Sequence, residues 1–94
     1  MNGDSHPSRR NDVLAQGAGD TVILLAPDSG EYFTLNEVGG RIWELSDGSR
    51  SVSEIARLLA EEYEAPVDEI RADALAVLDE LAEVRLVSDG PDGA

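Results

Sequence analysis

Cysteine and lysine are absent from this chain, and histidine occurs once. Without cysteine there is no disulfide to brace so small a chain, and no thiolate to act as nucleophile or metal ligand. One imidazole, His6, cannot build a histidine-rich metal site. No apolar run approaches the roughly 20 residues that span a bilayer. The opening stretch, MNGDSHPSRRND, has no apolar core of the kind a secretory signal carries. A soluble cytoplasmic protein is the expectation, and 94 residues suffice for one small domain.

Positive charge is scarce as well. The seven basic residues are all arginine, the formal net charge is −13, and residues 51–94 carry twelve acids against three arginines. Such a surface repels phosphate backbones and anionic lipid, which argues against nucleic-acid and membrane partners. The carboxylate groups Glu61/Glu62/Glu64, Asp68/Glu69 and Asp79/Glu80/Glu83 fall at polar helical positions with no histidine or cysteine nearby. They read as a solvated helix surface, not as an acid–base pair in a cleft. Asp28-Ser29-Gly30-Glu31 is only a fragment of a calcium loop. Gly39-Gly40 lacks the rest of any phosphate-binding pattern. No catalytic residue, metal or cofactor is expected.

What is there is organised around Glu31–Gly48, EYFTLNEVGGRIWELSDG. Glu31–Leu35 alternates polar and apolar residues of high strand propensity, with Phe33 and Leu35 on one face and Tyr32 and Thr34 on the other. Asn36 is a good helix N-cap. Val38, Ile42, Trp43 and Leu45 follow at roughly helical spacing, and Gly48 suits a left-handed position past the helix end. Upstream, residues 1–11 are polar and aperiodic and are expected to be disordered. Val13-Leu14 is a candidate first strand, Gln16–Asp20 a turn, and Thr21–Ala26 a strand apolar on both faces, as in the middle of a sheet. Pro27–Gly30 is a turn, so residues 21–35 form a hairpin.

The second half reads as helix. Ser51 and Glu54 form a capping box, and Val52, Ile55, Ala56, Leu59 and Tyr63 line one face. Ala65-Pro66 interrupts the pattern. A second helix over Val67–Glu83 is roughly 25 Å long, with Val67, Ile70, Ala74, Val77, Leu78 and Leu81 as its core stripe. Val84–Val87 is expected to be extended, and the tail from 88 to 94 frayed. The fold class is therefore α+β: a three-stranded antiparallel sheet followed by a three-helix, winged-helix-like cluster. A DNA-binding reading of that cluster fails on charge, since Val67–Glu83 sets six acids against Arg71.

If Val13-Leu14 pairs with one side of the central strand, Glu31–Leu35 is an edge beside a long amphipathic helix. That geometry suits an extended peptide adding as a strand. It equally suits an edge covered by the chain's own tail or by a second copy. The residues alone leave these alternatives open.

The ordered set Tyr32-Phe33-Thr34-Leu35-Asn36, Gly39 or Gly40, Ile42-Trp43, Asp47-Gly48, Ile55, Leu59, Asp73-Ala74, Val77-Leu78 and Leu81 resembles the PqqD family, grouped as RiPP recognition elements. The resemblance covers residues 13–87, and the recognition domain is bounded at 12–87. Arg85 departs from the pattern where the family often has Gly. The resemblance implies a non-catalytic protein whose third strand receives the leader of a ribosomally made precursor, antiparallel, in a groove walled by the third helix. Carried over, the contacts are Glu31, Tyr32, Phe33, Thr34 and Leu35 on the strand, and Arg71, Asp73, Leu75, Ala76, Val77 and Asp79 on the helix. The chain looks most like the small leader-binding partner of a split lasso-peptide B protein, implying a separate cysteine-protease-like leader peptidase as partner. A PqqD-type chaperone for a radical SAM enzyme is the alternative, and an edge-joined homodimeric regulatory domain is a further one.

Overall fold

The computed structural model describes residues 1–90. It contains, in order, β1 (Pro7–Arg9), β2 (Leu14–Ala18), β3 (Thr21–Leu25), β4 (Tyr32–Leu35), α1 (Glu37–Leu45), α2 (Val52–Tyr63), α3 (Val67–Glu83) and β5 (Val87–Asp89). Strands β2, β3 and β4 form an antiparallel sheet with β3 in the middle, as its two-sided apolar pattern predicts. One face of β3 carries Val22 and the fully buried Leu24 toward the helices; the other leaves Ile23 and Leu25 exposed. The three helices pack over the inner face, with Ile42, Trp43, Val52, Ile55, Leu59, Ile70, Leu78 and Leu81 in the core.

Local chemistry places each helix. The Asn36 side chain accepts the Gly39 amide at 2.8 Å and starts α1. Gly40 lets α1 settle on the sheet, because a Cβ there would lie 2.5 Å from the Val22 Cγ2. Ser51 and Glu54 make the reciprocal capping box that starts α2. Glu64, with φ +52, ends α2 in a left-handed turn, and Pro66 stands at the N-cap of α3.

Four expectations are corrected. First, residues 1–11 are not left loose. Pro7–Arg9 pairs antiparallel with Val87–Asp89 in a two-stranded ribbon, Pro7 is fully buried, and Gly48 and Arg9 bond across to it and to Ser46. The ordered unit thus extends beyond 12–87 at both ends; of the tail, Ser88 and Asp89 lie in β5, and residues 91–94 lie outside the described residues. Second, β2 runs through Gln16, Gly17 and Ala18, and only Gly19-Asp20 turns. Gly19 has φ +64, the positive value a two-residue hairpin loop requires of its first member. Third, α1, expected to end near Asp47-Gly48, stops at Leu45 with Ser46 as C-cap; Gly48 does hold the left-handed conformation expected of it, at φ +85, but in the loop that follows. Fourth, Val84–Arg85 is a turn, not extended chain. Arg85 holds φ +64, a conformation that favours glycine, at the position where the resemblance led us to expect one.

Candidate functional site

Strand pairing decides which backbone groups of β4 are free. The Ala26 amide donates to the Glu31 carbonyl at 2.9 Å, and the register pairs Leu24 with Phe33 and Val22 with Leu35. In an antiparallel ladder, directly opposed residues alternate between exchanging hydrogen bonds and pointing them away. Glu31, Phe33 and Leu35 therefore direct their backbone groups at β3, while Tyr32 and Thr34 direct theirs outward. Among the described residues, no other hydrogen bond reaches the backbone of Tyr32 or Thr34. Tyr32 is 71% exposed, on the outer face, as the alternation predicts.

Beside this free edge runs a cleft of about 280 Å³ between β4 and α3, lined by Phe33, Thr34, Leu35, Val77, Glu80, Leu81, Glu83 and Val84. At Val77 it meets a second hollow of about 260 Å³, lined by Asn36, Val38, Gly39, Ile42, Asp73 and Ala76. As β4 passes into α1, the facing position on α3 moves from Val84 back to Asp73, so the strand and this helix run in opposite directions. The floor is apolar, and the mouth carries Asp73, Glu80 and Glu83. Along α3 the residues 73, 77, 80 and 84 recur at helical spacing and form one stripe next to the core stripe of Ile70, Ala74, Leu78 and Leu81.

Phe33, Thr34 and Leu35 are thus brought together with Asp73, Ala76 and Val77; Tyr32 stands on the outer face of the same edge, and Glu31 lies at the margin, its carbonyl committed to Ala26. Arg71, Leu75 and Asp79 are not brought to the cleft. At 100° per residue they lie on the far flank of α3. Arg71 is paired with Asp68, Leu75 packs against the core, and Asp79 meets the amino group of Met1. The lining residues not anticipated are Asn36, Val38, Gly39, Ile42, Glu80, Leu81, Glu83 and Val84. For Glu80 and Val84 the signal was available as the i+7 and i+11 continuation of Asp73.

A larger hollow, about 510 Å³, lies at the ribbon between Met1, Arg10, Ala82, Arg85 and Val87–Asp89. Only a three-residue strand borders it. Arg10 also ties Asp12 to Asp28, and its guanidinium hydrogen bonds hold both carboxyls below the usual carboxylate range. Among the described residues there is no group of three or more His, Cys, Asp or Glu able to hold a metal ion. No described helix is long and apolar enough to cross a membrane.

Residues 21–87 match the family described as Coenzyme PQQ synthesis protein D (PqqD). The chain is 35% identical over 86 residues to the PqqA binding protein of Xanthomonas axonopodis pv. citri (strain 306), covering 89% of this chain and 91% of that protein. It superposes with TM-score 0.74 and 31% identity on the PqqD truncation of Methylobacterium extorquens PqqCD, a stand-alone RiPP recognition element, covering 87% of each chain. It superposes with TM-score 0.73 and 27% identity on a lasso peptide synthetase B1 complexed with the leader peptide, covering 89% of this chain and 99% of that one.

Proposed function

This chain belongs to the PqqD family, and on that premise we propose that it binds the leader of a ribosomally made precursor peptide as an added strand on β4. The observation that carries the reading is the outward pair Tyr32 and Thr34, whose free backbone groups border an apolar cleft walled by α3. A leader antiparallel to β4 exchanges hydrogen bonds with those two residues and inserts alternate side chains over Phe33, Leu35, Val77 and Leu81. The chain itself does no chemistry. It holds the precursor at high effective concentration beside a modifying enzyme. For a lasso-type precursor that enzyme is a separate cysteine-protease-like leader peptidase, a reading supported by the likeness to the B1 protein. The 35% identity to a PqqA binding protein favours a second reading, delivery to a radical SAM enzyme. In both, the leader occupies the same groove, in a cytoplasmic protein.

Ordering a flexible leader offsets part of the contact energy, so the dissociation constant is expected from roughly nanomolar to micromolar, about 8–12 kcal/mol. The test is an NMR titration of labelled protein with synthetic leaders from precursor frames beside its gene. Shifts are expected at residues 32–36 and along 73, 76, 77, 80 and 84. A peptide-independent dimer by sedimentation, with no shifts from any leader, would replace strand addition by edge-to-edge self-association.

A further inference from the structure

Resting on the leader-binding reading, we infer that the ligand of this cleft is a basic peptide: an apolar middle bracketed by lysine or arginine side chains that meet Asp73 on one side and Glu80 with Glu83 on the other. The two hollows contain three ionisable side chains, all acidic, and no arginine. Glu31 flanks the same edge on the strand side. None of these four carboxylates has an ion-pair partner or a side-chain hydrogen bond among the described residues. Several acids elsewhere are matched: Asp12 and Asp28 by Arg10, Glu44 and Glu62 by Arg41, Asp47 by Arg50, and Asp68 by Arg71. The one arginine on α3, Arg71, is committed to Asp68 on the opposite flank, and Arg85, just past Val84, lines the hollow at the ribbon instead.

The acids add a direction as well as a sign. Asp73 and Glu80 are two helical turns apart, about 10.5 Å along α3 at 1.5 Å per residue. A strand covers that distance in about three to four residues, and residues four apart return to the same face. Because α3 runs opposite to β4, a leader antiparallel to β4 runs with α3. Its upstream basic residue therefore meets Asp73, its apolar anchors cover Val77, and its downstream basic residue meets Glu80 and Glu83. The arrangement selects against acidic leaders, since an acidic side chain at either position faces carboxylates of like charge with no cation lining the cleft.

The probe is the synthetic leader encoded beside the gene, labelled with fluorescein, together with copies in which each Lys or Arg becomes Gln or Glu. Exposed ion pairs are expected to change affinity by about two- to fivefold each. The Gln copies bind correspondingly weaker, the Glu copies weaker still, and affinity for the native leader falls with added salt while that for the Gln copy does not. Glu80→Lys weakens the native leader and recovers a leader carrying Glu at the downstream position. Binding with equal affinity for native, Gln and Glu leaders overturns the charge assignment and leaves strand addition standing. No binding of any leader, with no shifts at β4, overturns both.

Discussion

On the β2 edge of the sheet the backbone groups of Ala15 and Gly17 face outward; on the β4 edge those of Tyr32 and Thr34 do, by the same alternation. Each edge offers the same number of free donors and acceptors, yet their surroundings differ. Beneath β2 the inward positions are Ala15 and Gly17, which offer a single methyl group, and the adjoining hollow is rimmed by Glu37, Arg41 and Glu44, with Arg41 locked to Glu44 and Glu62. Beneath β4 the inward side chains are Phe33 and Leu35, facing Val77 and Leu81 across an apolar cleft. Main-chain hydrogen bonds alone do not distinguish one extended peptide from another, or one edge from the other. Apolar pockets for alternate side chains do.

The largest expected effect comes from removing one outward donor on each edge. Thr34→Pro deletes an amide that faces away from β3, so the sheet is kept while the leader loses a partner. Binding should weaken by about 1–3 kcal/mol, roughly five- to 150-fold, with circular dichroism unchanged. Ala15→Pro should leave leader affinity intact by the same fluorescence titration. Equal losses from both variants would erase the distinction between the edges.

Next is the packing beneath them. Gly40→Ala puts a Cβ 2.5 Å from Val22 Cγ2, whereas Gly17→Ala meets nothing within 4 Å. The first is expected to destabilise the fold by about 1–3 kcal/mol, the second to be close to neutral, as read by thermal melting. A neutral Gly40→Ala would mean that α1 does not hold the sheet as closely as this distance states.

The smallest effect concerns the Arg10 link between Asp12, which precedes β2, and Asp28, in the turn that precedes β4. Both carboxyls are lowered from the ordinary 3.8, first by hydrogen bonds from Arg10. A depressed folded value stabilises fully above the ordinary value and is lost as pH falls through the folded value. Melting temperature should therefore drop on going from pH 5 to pH 2 slightly more for the natural chain than for Arg10→Gln. The groups are exposed, so the difference is small. Identical drops would show that the link contributes nothing.

Much of the frame was legible because its signals are local. Asn36, the Ser51–Glu54 box, the Ala65-Pro66 break and the apolar face of α2 act within a few residues of themselves. The ribbon was not legible: Pro-Ser-Arg and Val-Ser-Asp carry no strand pattern, and they pair only because the fold brings them together. Gln16-Gly17-Ala18 has poor strand propensity and is extended because β3 offers it a ladder. The cleft was half legible. Alternation assigned Phe33, Leu35 and Tyr32 to the correct faces. The rotation of α3 about its axis decides between Glu80 and Asp79, and Asp79 was the residue expected, although Asp73 and Val77 together already pointed to the stripe that includes Glu80.

The ribbon also nearly closes the chain into a ring, the His6 amide reaching the Asp89 carboxylate across 83 positions. Seen as a ring, the domain has one corner at which a covalent tether enters or leaves, and no strand residue of that corner lines either part of the cleft. An enzyme joined through a linker at either side of the ribbon would be anchored at the same point in space. Linker length, rather than the choice of terminus, would then set how often it visits a peptide lying on β4.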